Sequence, residues 1–255
     1  MDHMATQIAD IGRMPRGGPR ASCLDRLLET DRREYLDRED VDDRVKRSVV
    51  WALDRSGDLF GAHDRFAELA LAEIADVPDP KVLELGAGHG GLSRRLLDAH
   101  PTAEVLVTDL DETSVAKIAA GDLGGHPRAR VQVMDATAID APDGAFALAV
   151  FALSFHHLSP PQAAKAIAEG TRVADKLLIV DLPRPPAPLH VVRLLTMLPL
   201  APFVPFVHDG VISSLRSYSP AALRALAAHA GPDIEVELRG GLFSEQVLVA
   251  SRRRE

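Results

Sequence analysis

The clearest candidates for chemistry are a glycine-rich loop and the acidic residues near it. The segment VLELGAGHGGLS, residues 82–93, has glycines at 86, 88, 90 and 91. Glycine in such a turn lets the backbone approach a ligand closely, because no Cβ stands in the way. The loop follows an apolar stretch and precedes a helical pattern, so it predicts a ligand held between a strand and a helix.

Three acidic residues help to choose between two ligands. Glycines 86, 88 and 91 fit the G-x-G-x-x-G of dinucleotide sites, whereas 86, 88 and 90 fit the G-x-G-x-G of S-adenosylmethionine (SAM) sites. Asp109, at the end of a second strand, suits the ribose hydroxyls of either ligand. Glu84, inside the first strand, suits a ligand with positive charge. Asp135, after the third strand, is placed to accept a hydrogen bond from an adenine amino group.

Two consecutive histidines supply a candidate for proton transfer. His156 and His157 follow a fourth buried stretch, and Asp181 ends a fifth. Imidazole titrates near neutral pH, so a histidine there suits removal of a proton from a hydroxyl, with Asp181 to orient or charge the ring. Consecutive side chains of extended backbone point to opposite faces, so we expect one ring to reach the site and favour His156.

The apolar segment 184–216 carries a second set of polar side chains. Arg193, His208 and Asp209 are candidates for contact with a substrate. Together with Asp181, the latter two could instead hold a divalent cation such as Mg²⁺, which lowers the pKa of an alcohol. Prolines interrupt the segment, so we do not expect a membrane span. It is predicted to form a lid, or the surface of a homodimer.

Strands that alternate with helices must position these groups. Five strand-like segments, KVLELG, AEVLVTD, ARVQVMDA, GAFALAVFAL and DKLLIVDL, are mostly separated by helical stretches of roughly ten to fifteen residues. This spacing indicates a parallel, doubly wound α/β sheet, whose ligands bind at the carboxyl ends of the strands. A later helix with Ser219 as N-cap precedes two strands joined through Gly240 and Gly241, which predicts an antiparallel pair.

The flanking segments predict three parts. Residues 1–20 are expected to form a flexible arm. Residues 21–75 are expected to form a helical cap, because CLDRLLETDRREYL, VDDRVKRSVVWALDR and HDRFAELALAEIA place apolar residues three and four apart. Residues 76–255 would then form the ligand-binding domain, with the lid 184–216 inserted after its fifth strand.

Composition excludes several classes of protein. The 255 residues, 46% of them hydrophobic, suffice for one large α/β domain with an attached subdomain. The net charge of −8 gives no general source of phosphate neutralisation, so nucleic acid is not an expected partner. Cys23 is the single cysteine, which excludes an intrachain disulfide and a thiolate zinc cluster. With no secretion-signal pattern at the start, we expect a cytoplasmic protein.

The sequence resembles class I SAM-dependent methyltransferases over roughly residues 60–250. The resemblance lies in VLELGAGHGG, VTDLD, MDAT, and FALSFHHLSPPQAAKAIAEGTRV with LLIVDLPRP. It is nearest in character to ubiquinone/menaquinone-type methyltransferases and to sugar O-methyltransferases of natural-product pathways. It implies a Rossmann-like seven-stranded sheet of order 3-2-1-4-5-7-6 with strand 7 antiparallel. His89 departs from the small or acidic residue that many members carry.

The resemblance also implies roles for individual residues. Its cofactor-binding positions are Glu84, Gly86, Ala87 and Gly88 at the amino-acid part of SAM, Asp109 at the ribose, Leu110, Asp135 and Ala136 at the adenine, and Phe151 and Ala152 at the sulfonium side. In the sugar O-methyltransferases a histidine pair and a strand-five aspartate form the catalytic group. This implies catalytic roles for His156, His157 and Asp181.

The leading hypothesis is therefore an O-methyltransferase that moves a methyl group from SAM to a hydroxyl of a small metabolite, such as a sugar or glycoside, and releases S-adenosylhomocysteine. A C-methyltransferase acting on a quinone or phenol is the alternative within the class. Two alternatives belong to other functional classes: an NAD-dependent oxidoreductase, and a noncatalytic partner subunit with the SAM fold. The chain leaves little room for a separate dehydrogenase substrate domain.

Overall fold

A seven-stranded sheet forms the centre of the computed structural model, which describes residues 11–241 and 244–253. The strand order is β3-β2-β1-β4-β5-β7-β6, and β7 runs antiparallel to both neighbours while the other pairs are parallel. The strands are β1 Lys81–Leu85, β2 Glu104–Asp109, β3 Ala129–Val133, β4 Phe146–Ala152, β5 Ala174–Asp181, β6 Ile234–Arg239 and β7 Gln246–Arg252. The predicted fold class is confirmed.

Helices cover both faces of this sheet and extend beyond its edge. The α-helices are α1 Cys23–Leu27, α2 Asp43–Phe60, α3 Ala62–Glu73, α4 Gly91–Ala99, α5 Glu112–Ala120, α6 Pro160–Val173, α7 Ala187–Met197, α8 Pro205–Arg216 and α9 Pro220–Ala230. Because parallel strands need crossover connections, α4, α5 and α6 follow β1, β2 and β4 directly.

The central strands are buried on both faces, which explains their nearly unbroken apolar runs. On one face Leu83 of β1 shares a cluster with Ile167 of α6. On the other face Val82 shares a cluster with Phe66 of α3 and Leu96 of α4. Each such buried side chain contributes about 1.5–3 kcal/mol, so these two layers hold the carboxyl ends of the strands in place.

Short polar caps fix where several helices begin. Asp111 caps α5 by accepting from backbone N–H groups of its first turn. Ser159 and Gln162 form a capping box at the start of α6, directly after the histidine pair. Ser219 caps α9, as its position in the sequence predicts. Each cap satisfies N–H groups that the helix itself leaves without partners.

The N-terminal region departs most from the sequence prediction. Residues 11–20, expected to belong to a flexible arm, include the buried residues Met14 and Arg16, and the main chain of Arg16 accepts from Ser219 N. The rest of the predicted arm, residues 1–10, lies outside the described residues. The expected helix CLDRLLETDRREYL ends at Leu27, because the segment that follows is held by side-chain contacts with α8.

The predicted lid consists of α7 and α8. Within residues 11–241 and 244–253, no helix has the length and apolar content needed to cross a membrane. Several apolar side chains nevertheless remain exposed on and after α7, namely Val192, Leu195, Leu198, Leu200 and Phe203. The division of the chain into a helical cap and a SAM-binding domain stays a prediction.

Candidate active site

The glycine loop adopts the conformation that the shorter of the two spacings requires. Gly86, Gly88 and Gly90 have φ of 68°, 58° and 78°, in the left-handed region where side chains are disfavoured. Gly91 is the first residue of α4, and a Cβ there would meet the ring of His63 in α3 instead of a strand. The loop geometry therefore uses 86, 88 and 90, the G-x-G-x-G spacing.

The residues predicted to hold ribose and adenine gather at the ends of β2 and β3. Asp109 accepts from Gly88 N at 2.8 Å, and its main-chain carbonyl accepts from Met134 N at 3.0 Å. Leu110 is 67% exposed, and its predicted contact with adenine stays a prediction. Asp135 is also exposed and accepts from a neighbouring backbone N–H. The structure thus brings the glycine loop, Asp109 and Asp135 to one edge of the sheet.

Glu84 lies beneath this loop and not on its surface. Its residue is 3% exposed, and the Ser93 hydroxyl of α4 donates a hydrogen bond to its carboxylate. Burial raises the pKa of Glu84 to about 7, since the charged carboxylate loses contact with water. A nearby cation would favour the ionised form of the Glu84 carboxylate. The predicted contact between Glu84 and a positively charged ligand stays a prediction.

The end of β4 places the ring of Phe151 in the core. This ring is 2% exposed and packs edge-on against Phe155, with 5.3 Å between the ring centroids. The predicted place of Phe151 and Ala152 at the sulfonium side of SAM stays a prediction. The next residue, Ala152, is half-buried at the strand end.

A strained junction leads from β4 to the histidine pair. Leu153 has φ of 56°, which is rare for a residue with a branched side chain, and its N–H donates to Val180 O at 2.8 Å. Ser154 Oγ then donates to Leu85 O at 3.1 Å. A Cβ at Gly86 would lie 2.8 Å from that hydroxyl. The turn that carries the histidines is therefore packed directly against the glycine loop.

Both histidine rings face one buried carboxylate. His156 Nε2 lies 3.4 Å from Glu34 Oε1, and His157 Nε2 lies 3.8 Å from Glu34 Oε2. Both rings approach Glu34 because Phe155–His157 is a 3₁₀ turn and not the extended backbone on which the preference for one ring depended. The ring centroids are 4.4 Å apart. His156 is 3% exposed, whereas the side chain of His157 is 31% exposed.

Each ring is also held from behind by a carboxylate. His156 Nδ1 lies 2.7 Å from Asp181 Oδ1, and the His156 N–H donates to Asp181 Oδ2 at 2.8 Å. His157 Nδ1 lies 3.0 Å from Asp37 Oδ2. The structure thus brings together all three predicted catalytic residues, His156, His157 and Asp181, and adds Asp37 and Glu34 to them.

The charges around His156 determine its protonation. Burial alone would lower the pKa of His156, but the charge and hydrogen bond of Asp181, together with Glu34, raise it to about 9. Burial would likewise raise the pKa of Asp181, but the charge and hydrogen bonds of His156 hold it below its usual value. In this arrangement His156 and Asp181 form a buried ion pair at neutral pH.

Two arginines that the sequence did not single out support the histidine turn. Arg16 Nη1 donates to His156 O at 2.8 Å and to Arg216 O at 2.6 Å, while its guanidinium lies 4.5 Å from the centroid of the Tyr218 ring. Arg216 donates to His157 O at 2.6 Å. Nothing in the spacing of these residues indicates their meeting, because they come from opposite ends of the chain.

The predicted metal set is not brought together. Asp209 accepts from Tyr35 N at 2.8 Å and lies 2.9 Å from His208 Nδ1, so it holds the N-terminal segment to α8. Asp181 is engaged with His156 instead. Among the described residues, the group of three whose ligand atoms lie within 4.8 Å of one another consists of Glu34, His156 and His157. The prediction of a cation held by Asp181, His208 and Asp209 is therefore corrected.

Two cavities of about 420 Å³ each lie beside the lid, and they separate the predicted substrate residues. One contains His208 together with Arg32, Arg33, Arg38 and Ile212. The other contains Arg193 and is lined by residues 182, 183, 185, 189, 192, 193, 244 and 245. His208 and Arg193 do not face a common cavity, so their joint action on one substrate group is not supported.

Comparison with known proteins bears on the choice between the two ligands of the glycine loop. The family model described as "Methyltransferase domain" matches residues 82–176, which run from the glycine loop through the histidine turn into β5. Residues 82–176 are therefore similar to a methyltransferase domain, which supports SAM over a dinucleotide as the ligand of the loop. The dinucleotide interpretation of the loop, and with it the oxidoreductase hypothesis, is set aside.

Individual relatives of this methyltransferase domain differ in how much they cover. Malonyl-[acyl-carrier protein] O-methyltransferase of Geobacter sulfurreducens is 34% identical over 110 residues, which is 43% of the chain and 39% of that relative. Demethylmenaquinone methyltransferase of Thermus thermophilus is 27% identical over 191 residues, 70% of the chain and 86% of that relative. The chain thus spans about two fifths of the first relative's length.

A solved structure supports the fold over most of the chain. The plantazolicin methyltransferase BpumL, in complex with a pentazolic desmethylPZN analog and SAH, is similar with a TM-score of 0.66. The similarity covers 91% of this chain and 97% of that one, at 11% sequence identity. At this identity the comparison supports the fold alone.

Proposed function

We propose that the protein transfers a methyl group from SAM to a hydroxyl of a small metabolite and releases S-adenosylhomocysteine. The observation that carries the proposal is the polar cluster of Glu34, His156 and His157 at the carboxyl ends of β4 and β5. It adjoins the glycine loop through the hydrogen bond from Ser154 to Leu85 O. A proton-accepting group beside the methyl donor is what hydroxyl methylation needs.

The reaction itself asks the protein mainly to position two groups. The acceptor oxygen attacks the methyl carbon in line with the breaking carbon–sulfur bond, and the sulfonium becomes a neutral thioether. Alignment of reacting atoms can supply roughly 7–11 kcal/mol of the barrier reduction. The hydroxyl proton must leave, and a positioned base contributes about 10²–10⁴-fold.

Of the two histidines, we propose His157 as the ring that meets the acceptor. His156 is buried and its Nδ1 is held by Asp181, so its ring has no exposed surface that an acceptor could contact. His157 is partly exposed, and Asp37 at its Nδ1 would fix the tautomer whose Nε2 accepts a proton. This reverses the sequence-based preference for His156 and gives His156 and Asp181 a positioning role.

Two observations bear on the chemical nature of the acceptor. The length of the match with demethylmenaquinone methyltransferase favours a second candidate, C-methylation of a quinone or phenol. The acidic net charge of −8 supports a small molecule over nucleic acid as acceptor.

We propose a homodimer contact at the exposed apolar residues of α7. We also propose that the enzyme is cytoplasmic.

Incubation of the protein with deuteromethyl-SAM and a metabolite extract, followed by mass spectrometry, tests the proposed function. We expect a product that carries a CD₃ group which hydroiodic acid removes, as it does from methyl ethers and esters. A label that resists this cleavage would favour C-methylation. Calorimetry with S-adenosylhomocysteine and with NADH is the control, and binding of NADH alone would overturn the assignment of the cofactor.

A further inference from the structure

We propose that Glu34, His156 and His157 bind a divalent transition-metal ion through a Glu34 carboxylate oxygen and the Nε2 atoms of both histidines. The three side chains come from two distant parts of the chain and converge on one point. His156 Nε2 and His157 Nε2 lie 3.4 Å and 3.8 Å from the two oxygens of Glu34. The ligand atoms all fall within 4.8 Å of one another.

The outer contacts of both rings are those of metal-bound histidines. Histidine ligands usually donate their second ring N–H to a carboxylate, which fixes the tautomer and turns the other nitrogen toward the metal. Here His156 Nδ1 is 2.7 Å from Asp181 Oδ1, and His157 Nδ1 is 3.0 Å from Asp37 Oδ2. Both rings are therefore oriented in the same way, with Nε2 directed at Glu34.

A buried nitrogen in this group lacks a hydrogen-bond partner. His156 is 3% exposed, and its Nε2 has no hydrogen-bond partner among the described residues. Its ion-pair contact with Glu34 Oε1, at 3.4 Å, is longer than an ordinary N–H···O hydrogen bond. Buried polar atoms are almost always satisfied, so this one calls for a partner. An ion between the two atoms would provide it, and the proton that His156 carries on Nε2 in its ion pair with Asp181 would leave to solvent as the ion binds.

The separations match a tetrahedral site. A zinc ion about 2.0–2.2 Å from each nitrogen or oxygen ligand, at tetrahedral angles, places the ligand atoms about 3.4 Å apart. The observed 3.4 Å joins His156 Nε2 to Glu34 Oε1, and the observed 3.8 Å joins His157 Nε2 to Glu34 Oε2, so each nitrogen lies within a few tenths of an ångström of that distance from one oxygen of the carboxylate. Glu34 is also fixed in place, since the Ser213 hydroxyl donates to its Oε1 at 2.6 Å. Only small side-chain shifts would be needed.

The ligand set also indicates which metal to expect. Two imidazoles and one carboxylate suit Zn²⁺, Co²⁺ or Fe²⁺, whereas Mg²⁺ prefers oxygen ligands. Three protein ligands leave a fourth position open for water or substrate. It would lie on the side of His157, which is the exposed part of the cluster.

This last step rests on the proposed function. An acceptor hydroxyl at the fourth position would lose its proton more readily, because the metal stabilises the alkoxide. The proton would leave to solvent, and the alkoxide oxygen would then attack the methyl carbon as the carbon–sulfur bond breaks. With metal bound, His157 would serve as a ligand and not as the base itself.

Metal binding by the full-length protein, measured without SAM or acceptor, tests the inference. After treatment with a chelator, the protein is titrated with Co²⁺ and then with Zn²⁺. We expect one ion per chain by mass spectrometry, and the strong visible absorption of tetrahedral Co²⁺ that Zn²⁺ abolishes. Absence of bound ion, or a spectrum of hexaaqua Co²⁺ only, overturns the proposal.

Matched variants locate the ion. His157→Ala and Glu34→Gln should each weaken Co²⁺ binding on the order of 100-fold or more, while His229→Ala and Glu39→Gln, at exposed positions, should not change it. Asp37→Asn should weaken binding about 10–100-fold through the ring of His157. Unchanged affinity in both His157→Ala and Glu34→Gln, with melting temperatures that show folded protein, overturns the site.

The two proposals fail in different ways. If Co²⁺ binds as described but no methylated product forms with any acceptor, the metal site stands and the proposed function fails. If a chelated protein, shown to be metal-free, methylates its acceptor at the full rate, the catalytic use of the metal is overturned and the proposed function stands.

Discussion

The two halves of the candidate site are built in different ways. The predicted cofactor half takes its residues from the glycine loop and from the ends of β2 and β3. Each of these residues lies within or next to a motif that can be recognised in the sequence. The histidine half takes Glu34 and Asp37 from an irregular N-terminal segment and joins them to a turn 120 residues later. The first half shows how local pattern encodes a binding site, and the second shows that tertiary contact can complete one.

Replacement of His157 should give the largest effect and should separate the halves most sharply. We expect His157→Ala to lower kcat by about 10²–10⁴-fold, because the ring takes or organises the departing proton. Calorimetric affinity for S-adenosylhomocysteine should stay the same. An equal loss of cofactor affinity would mean that the two halves are not independent.

The ionisation of Glu84 offers a test of the cofactor half, because it makes the stability of the protein depend on pH. Since folding raises its pKa from the usual 4.5 to about 7, the folded protein binds more protons than the unfolded chain between these values. Stability should therefore fall as pH rises from about 4.5 to about 7, by about 3 kcal/mol, and level off above. Glu84→Gln should remove this component.

Thermal unfolding of both proteins from pH 5 to pH 8 measures the effect of Glu84. The melting temperature of Glu84→Gln relative to the parent should increase with pH across that range, because the variant has no carboxylate to ionise. A constant difference would show that the Glu84 carboxylate has an ordinary pKa in the folded protein.

Replacement of Asp109 should weaken cofactor binding, whereas replacement of His157 should slow turnover. Asp109→Ala should weaken binding of S-adenosylhomocysteine by about 1.5–3 kcal/mol, the usual value of hydrogen bonds to a charged group. Its contact with Gly88 N makes loosening of the glycine loop part of the effect. Binding of Co²⁺ should be unaffected, and a parallel loss of both ligands would contradict the separation.

The smallest expected effect comes from the cap that follows the histidine turn. Ser159→Ala should destabilise the protein by about 1 kcal/mol, because the capping box at the start of α6 is lost. Denaturant unfolding measures this. Turnover at a temperature well below melting should change little, so a large loss of activity would show that the α6 start helps to place His157.

The sequence predicted the parts of the molecule whose signals are local. The parallel sheet with its antiparallel terminal pair, the Ser219 cap and the gathering of the glycine loop with Asp109 depend on apolar periods and strand ends, and these features are present in the structure. The strand order came from the family resemblance. The helix expected over CLDRLLETDRREYL is present only as Cys23–Leu27, and Leu27 is 79% exposed and finds no core to pack against. Apolar spacing alone does not make a helix where its face has no partner.

Glu34 could not be predicted because nothing around it is distinctive. It stands among many charged residues, and only the contact of the N-terminal segment with α8 and the histidine turn singles it out. Arg16 was assigned to a flexible arm for the same reason. The preference for His156 over His157 depended on an extended backbone that the 3₁₀ turn replaces.

The hydrogen bond from Ser154 to Leu85 O has a consequence for the order in which ligands act. It connects the turn that carries the histidines to the strand end that carries the glycine loop, so a shift of the loop on cofactor binding would act on the histidine turn through this hydroxyl. Linkage requires that the influence be mutual: whatever factor SAM exerts on the affinity for an ion or acceptor, that ligand exerts on SAM. Ser154→Ala is then a probe of cooperativity, a property of neither half alone.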